Sequence, residues 1–141
     1  MKSIPFSAAL WGITLSLPFI YCALAVLNVF TPPQIYGAEP NVLLPVYGII
    51  SLAGSGGIYW GFVAKSRPGL LDSIVAILPP LAALGIFFSP LPLLPLAIVT
   101  ASLIVIDMMF VARGLAPRWW FSLRLFTTSV AAGSMFLAYY A

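Results

Sequence analysis

The chain contains no histidine, one cysteine, six basic residues and three acidic ones. Without histidine there is neither an imidazole base nor an imidazole metal ligand. Cys22 alone can form no intrachain disulfide and no thiolate cluster. It reads as a small apolar packing residue. Charged residues make up 6% of the sequence, where a soluble domain has about 25%, so they cannot cover a water-facing surface. With 62% hydrophobic residues and a mean hydropathy of +1.12, the bilayer must be the solvent. The acidic residues, Glu39, Asp72 and Asp107, are scattered along the chain. No nucleophile–base pair or metal-ligand set can be built from them, and a non-catalytic protein is expected. The residues specify no cofactor.

A net charge of +3 and a pI near 9.3 would suit nucleic acid, but the basic residues are distributed otherwise. Lys2 precedes the first apolar span. Lys65 and Arg67 separate the second from the third, and Arg113, Arg118 and Arg124 surround the junction of the fourth and fifth. The alternate connections carry no Lys or Arg. Basic residues are retained on the cytoplasmic side during insertion and meet anionic headgroups there. This pattern predicts an all-α, polytopic bundle of five transmembrane helices, with its N-terminus inside and its C-terminus outside. Membrane lipids, not nucleic acid, are the expected contacts.

The spans fall at about 8–30, 42–64, 70–88, 93–112 and 119–140, within one membrane domain of residues 1–141. Each approaches the roughly 20 apolar residues that cross a bilayer. The first contains the small-residue triplet Ala23-Leu24-Ala25, but its apolar run is too long for a signal peptide, so retention is expected. Thr31-Pro32-Pro33 should end it. Pro45 is placed in the first turn of the second span, where its missing N–H costs little. Pro79-Pro80 should kink the third. Loops this short bring successive spans together as antiparallel hairpins.

Four groups of residues stand out. Asp107 and Arg124 lie equally far from the middle of the 114–117 turn, so an antiparallel hairpin sets them at one height. An intramembrane ion pair is predicted, which relieves the cost of a lone carboxylate at that depth, about 2.5–3.5 kcal/mol. Asp72, in a first helical turn, suits the helix dipole, with Lys65 and Arg67 nearby. In the second span Ala53, Gly57 and Gly61 recur every four residues, a face on which helix backbones can approach closely, within the chain or against a partner. A bulky residue at Gly57 should therefore destabilise the bundle or detach a partner. Gly54 and Gly56, with Tyr59, Trp60, Pro79 and Pro80, outline a cleft for a flat hydrophobic ligand. Tyr59, Trp60, Trp119 and Trp120 are expected as interfacial anchors at the inner face, with Trp11. Tyr36, Tyr47, Tyr139 and Tyr140 are expected at the outer one.

The run Gly56-Gly57-Ile58-Tyr59-Trp60-Gly61, together with Pro79, Asp107 and Arg118-Trp119-Trp120-x-x-Leu123-Arg124-Leu125-x-Thr127, resembles the domain of unknown function 3429, the transmembrane protein 69 family. The resemblance runs from about Tyr47 to the C-terminus. In that family a histidine usually precedes the Trp of the glycine motif; Tyr59 stands there in this chain. The resemblance implies a fold but no established activity. The family's occurrence in respiring bacteria and mitochondria implies an energy-converting membrane. The tryptophan-rich sensory protein family has a similar five-span plan, but its motifs do not line up with this sequence.

These readings lead to an accessory or assembly subunit of a larger membrane complex, respiratory or otherwise energy-converting, with other membrane subunits as partners. It would lie in the bacterial inner membrane, or in the mitochondrial inner membrane of a eukaryote. The alternative is a binder or carrier of a quinone, tetrapyrrole or lipid within the bundle.

Overall fold

A computed structural model describes residues 3–33, 39–66 and 69–141. Lys2, Tyr36 and Arg67, used above for topology and anchoring, lie outside the described residues. Five helices make up the fold: α1 (Phe6–Val26), α2 (Pro40–Lys65), α3 (Leu70–Phe87), α4 (Leu93–Ala112) and α5 (Arg118–Tyr140). There is no strand among the described residues. Each helix is long and apolar enough to cross a membrane. Only 28–39% of each apolar window is buried inside the bundle, so most of its Leu, Ile and Phe side chains face outward, as lipid contact requires. This is a multi-pass membrane protein.

The interior is built from smaller and more polar residues than the exterior. Ala76, Ala83, Ala97, Ala131 and Gly48 are buried, as are Ser55, Asp72, Thr100, Asp107 and Thr128. Small residues at helix contacts are what lipid favours, because close packing replaces the hydrophobic drive between helices. The buried positions also follow one spacing. On α4 they include Leu96, Thr100, Leu103, Asp107 and Phe110; on α5 they include Thr128, Ala131, Met135 and Ala138, and Arg124 lies one turn earlier on the same stripe. Steps of three and four keep a stripe on one helix face.

Helices α4 and α5 form the most extensive hairpin, followed by α2 and α3. Helix α1 packs on α5 and α2, which closes the circuit. Gly12 allows its approach to α5: a Cβ there would lie 2.8 Å from Leu123 Cδ1. Successive helices are in contact throughout, although α3 and α4 touch over only a short stretch despite the brief turn between them.

Two local details differ from the sequence reading. Helix α1 stops at Val26, several residues before Pro32. Asn28 adopts φ 56°, and the N–H groups of Asn28 and Val29 donate to the carbonyls of Ala25 and Leu24. This is a left-handed helix stop with asparagine in place of the usual glycine. Gly114, at φ 72°, ends α4 by the same bonding pattern. Helix α2 begins at Pro40, where a first-turn proline forfeits nothing, so Pro45 lies deeper than its first turn. Pro79 and Pro80 both lie inside one continuous α3, so the helix is not broken there.

Candidate functional site: a buried ion pair beside a lateral cavity

Asp107 lies on the inward stripe of α4 and is fully buried. Its Oδ2 accepts from Arg124 Nε at 3.0 Å, and its Oδ1 accepts from Trp120 Nε1 at 2.8 Å. Arg124 Nη2 donates to Ser55 Oγ at 3.3 Å, and Ser55 Oγ donates to the Ser51 carbonyl at 3.1 Å. The guanidinium also sits 5.7 Å from the Trp120 ring centroid. Helices α2, α4 and α5 are thereby tied together at one buried point. The hairpin geometry alone brings the charged pair to one height. Ser55 and Trp120 complete it because each lies on the inward face of its own helix.

The aromatics expected as interfacial anchors divide between the surface and the buried network. Trp120 is half-buried and commits its indole N–H to Asp107, so it is a member of the network. Its ring meets Phe62 edge-on at 5.2 Å between centroids. Tyr59 is no surface anchor either. It is fully buried, stacks on Phe110 at 5.0 Å and donates to the Leu103 carbonyl at 3.5 Å. Trp11 and Trp60 are exposed, Trp119 is half-buried, and Tyr139 and Tyr140 are exposed. Tyr47 donates to the Leu15 carbonyl at 2.7 Å and packs on Phe19, holding α2 to α1.

The glycine motif is split between two roles. Gly56 is the packing glycine. A Cβ there would collide with the Pro80 ring and lie 3.0 Å from the Ala76 carbonyl oxygen. Pro80 has no N–H for that carbonyl, so the proline leaves the oxygen free and Gly56 covers it. Gly57 and Gly61 are exposed, with open space where their side chains would be, and Ala53 is half-buried at the edge of the core. Among the described residues, then, Ala53 packs at the edge of the core while nothing lies where side chains of Gly57 and Gly61 would be. The helix is turned so that Leu52, Ser55, Gly56, Tyr59 and Val63 face inward. The cleft expected between the glycines and Pro79-Pro80 is closed by the same contact.

A cavity opens elsewhere. About 430 Å³ lies between α1, α2 and α5, with Thr100 and Leu103 of α4 contributing to its wall. Of the expected cleft residues only Gly54 lines it. Ser55, Trp120 and Arg124 line one end, and Leu15, Phe19 and Ile50 continue an apolar wall away from them. Trp11, Ile50 and Ile58 are exposed lining residues, so the cavity opens sideways between α1 and α2. The hydroxyls of Thr100 and Thr128 have no hydrogen-bond partner, although both residues are buried.

A second polar contact fastens the same end of the bundle. Asp72 is buried at the start of α3, where one carboxylate oxygen accepts from the Gly69 N–H at 3.1 Å and the other accepts from Arg113 at the end of α4. The capping role was legible in the sequence; the Arg113 partner was not, because 41 residues separate the two. Among the described residues no group of three His, Cys, Asp or Glu side chains could hold a metal ion.

No curated protein and no solved structure is similar enough to match this chain. The family model described as a protein of unknown function (DUF3429) matches residues 4–140, which extends the likeness back across α1. By that near-complete match, the chain belongs to the DUF3429 family.

Proposed function

We propose that this chain is a non-catalytic integral membrane protein that holds a hydrophobic small molecule in the cavity between α1, α2 and α5. The observation that carries this reading is the cavity itself: about 430 Å³, mostly apolar, open towards lipid and ended by a hydrogen-bonded arginine. Small-molecule sites are commonly of this form, about 300–1,000 Å³ with a few polar groups that fix orientation. Quinone, tetrapyrrole and lipid are the ligand classes in view. Asp107 is fully buried behind Arg124 and does not line the cavity, which favours a binding site over a reacting one. The test is purification from native membranes, with an absorption spectrum and mass spectrometry of the extract. A defined hydrophobic molecule should accompany the wild type and be lost from Gly54→Leu, whose side chain would grow into open cavity space. Identical extracts from the two proteins would overturn the reading.

A second reading rests on a different surface. Gly57, Gly61 and Ala64 present a strip of nearly bare backbone to the outside of α2, and nothing in the described chain lies on the two glycines. In lipid such a strip suits a partner helix. An accessory or assembly subunit of a larger energy-converting complex is the role that follows. Gly57→Leu should then detach a co-purifying partner without unfolding the bundle. Migration of the wild type alone in mild detergent would count against this role.

The orientation proposed for both readings is N-terminus inside, in a bacterial or mitochondrial inner membrane. It is supported by Lys65, Arg113 and Arg118, which flank helix ends that an antiparallel bundle gathers on one side. A reporter that is active only outside the cytoplasm, fused after Ala141, should be active.

A further inference from the structure

We infer that the cavity takes a neutral amphipath bearing a carbonyl-type hydrogen-bond acceptor, with that acceptor on Arg124 and its apolar tail along α1. The inference rests on the binding reading above and names the chemistry of its ligand.

Three observations carry it. The first is donor supply. A guanidinium has five N–H donors. Among the described residues Arg124 donates to Asp107 and Ser55, and the Tyr59 hydroxyl also faces the guanidinium, which together take fewer than the five. Its side chain keeps 13% of its surface exposed and lines the cavity. Polar N–H groups without partners are costly in hydrocarbon, so an acceptor is favoured there.

The second is charge. Asp107 already neutralises Arg124 at 3.0 Å. An incoming carboxylate or phosphate would give the buried cluster a net negative charge, which low dielectric penalises. A neutral carbonyl brings no such cost. Depth leads to the same class. Arg124 lies six residues into α5 from Arg118, about 9 Å along the axis. A phospholipid phosphate is held at the polar interface by its charge, whereas a neutral carbonyl carries no charge to hold it there.

The third is the pair of unpartnered hydroxyls. Threonine on a helix usually bonds a carbonyl one turn back, and Thr100 and Thr128 do not. Both residues line the cavity, with their oxygens covered. A χ1 rotation exchanges methyl for hydroxyl and would turn a donor towards a bound acceptor. Thr128 lies one turn beyond Arg124, in the direction the ligand would extend.

Two sources share this chemistry: isoprenoid-type quinones and neutral glycerol esters. The experiment is calorimetric titration of the full chain in dodecyl maltoside, a detergent without carbonyl groups. The probes are a decyl-substituted benzoquinone, dioctanoylglycerol, decanoate and decylbenzene. At least one carbonyl probe should bind ten times or more tightly than decanoate and decylbenzene. The tighter of the two carbonyl probes identifies the source. Gly54→Leu should abolish that binding. The joint substitution Thr100→Val and Thr128→Val should weaken it about fivefold or more, the loss of one or two hydrogen bonds. The same variant, free of ligand, should melt no lower than the wild type, because each valine replaces an unpartnered hydroxyl. Decanoate or decylbenzene binding as tightly as the carbonyl probes, with Gly54→Leu still blocking, overturns the head-group assignment and leaves the cavity reading in place. No probe binding, or binding indifferent to Gly54→Leu, overturns both.

Discussion

Alanine at position 56 and alanine at position 57 should act in opposite directions. Gly56 faces α3, where a new Cβ would collide with the Pro80 ring, 2.9 Å from Cγ, and would stand 3.0 Å from the Ala76 carbonyl oxygen. A proline ring and a backbone carbonyl cannot swing aside as a flexible side chain can. Relief requires α2 and α3 to separate, and overpacking of this kind costs about 1–3 kcal/mol. Alanine regains about 0.5–1 kcal/mol of helix preference over glycine, so Gly56→Ala should destabilise the bundle by about 1–2 kcal/mol. A Cβ on Gly57 meets nothing within 4 Å. Gly57→Ala should keep the helix gain alone and stabilise by about 0.5–1 kcal/mol. Titration of both variants from dodecyl maltoside into SDS, followed by circular dichroism, measures the difference in one detergent system. Pro80→Ala in the Gly56→Ala background should recover part of the loss, because it removes the obstructing ring and restores an N–H for Ala76; such coupling is expected of residues in contact. Equal shifts for the two glycines, or the larger loss at 57, would refute the orientation of α2 described above.

Three further perturbations test the polar contacts and the helix stop. Asp107→Leu or Arg124→Leu alone should cost about 3–5 kcal/mol, since each strands a buried charge, while the double substitution should cost less than either; a double-mutant cycle in the same SDS titration checks this. Asp72→Ala should cost about 1–2 kcal/mol through the lost Gly69 cap, whereas Arg113→Ala, at a side chain 43% exposed, should cost about 1 kcal/mol or less. Gly114→Ala should destabilise by about 1 kcal/mol, read from the same transition, because alanine at φ 72° meets a steric cost that glycine escapes.

What the sequence determined by itself was whatever depends on solvent and on chain distance. Apolar length set the number of helices, and the α4 boundaries at Leu93 and Ala112 follow from the apolar run between Pro92 and Arg113. A short turn between antiparallel helices placed Asp107 opposite Arg124, because heights on a hairpin count outward from its turn. Asparagine tolerates the left-handed conformation that stops α1 at Asn28, but an asparagine inside an apolar run is a weaker stop signal than Pro32-Pro33. Rotation of each helix about its axis was decided only by the tertiary structure. A rotation of about 100° per residue separates Gly56 from Gly57, and both positions are equally small, so composition could not say which one meets α3. The Pro80 ring and the carbonyl it frees settled that contact, closed the expected cleft and turned Gly57 and Gly61 outward. The same rotations set Ser55 and Trp120 on the buried pair and opened the cavity beside α1, since the space between three helices depends on side chains from segments far apart in the chain.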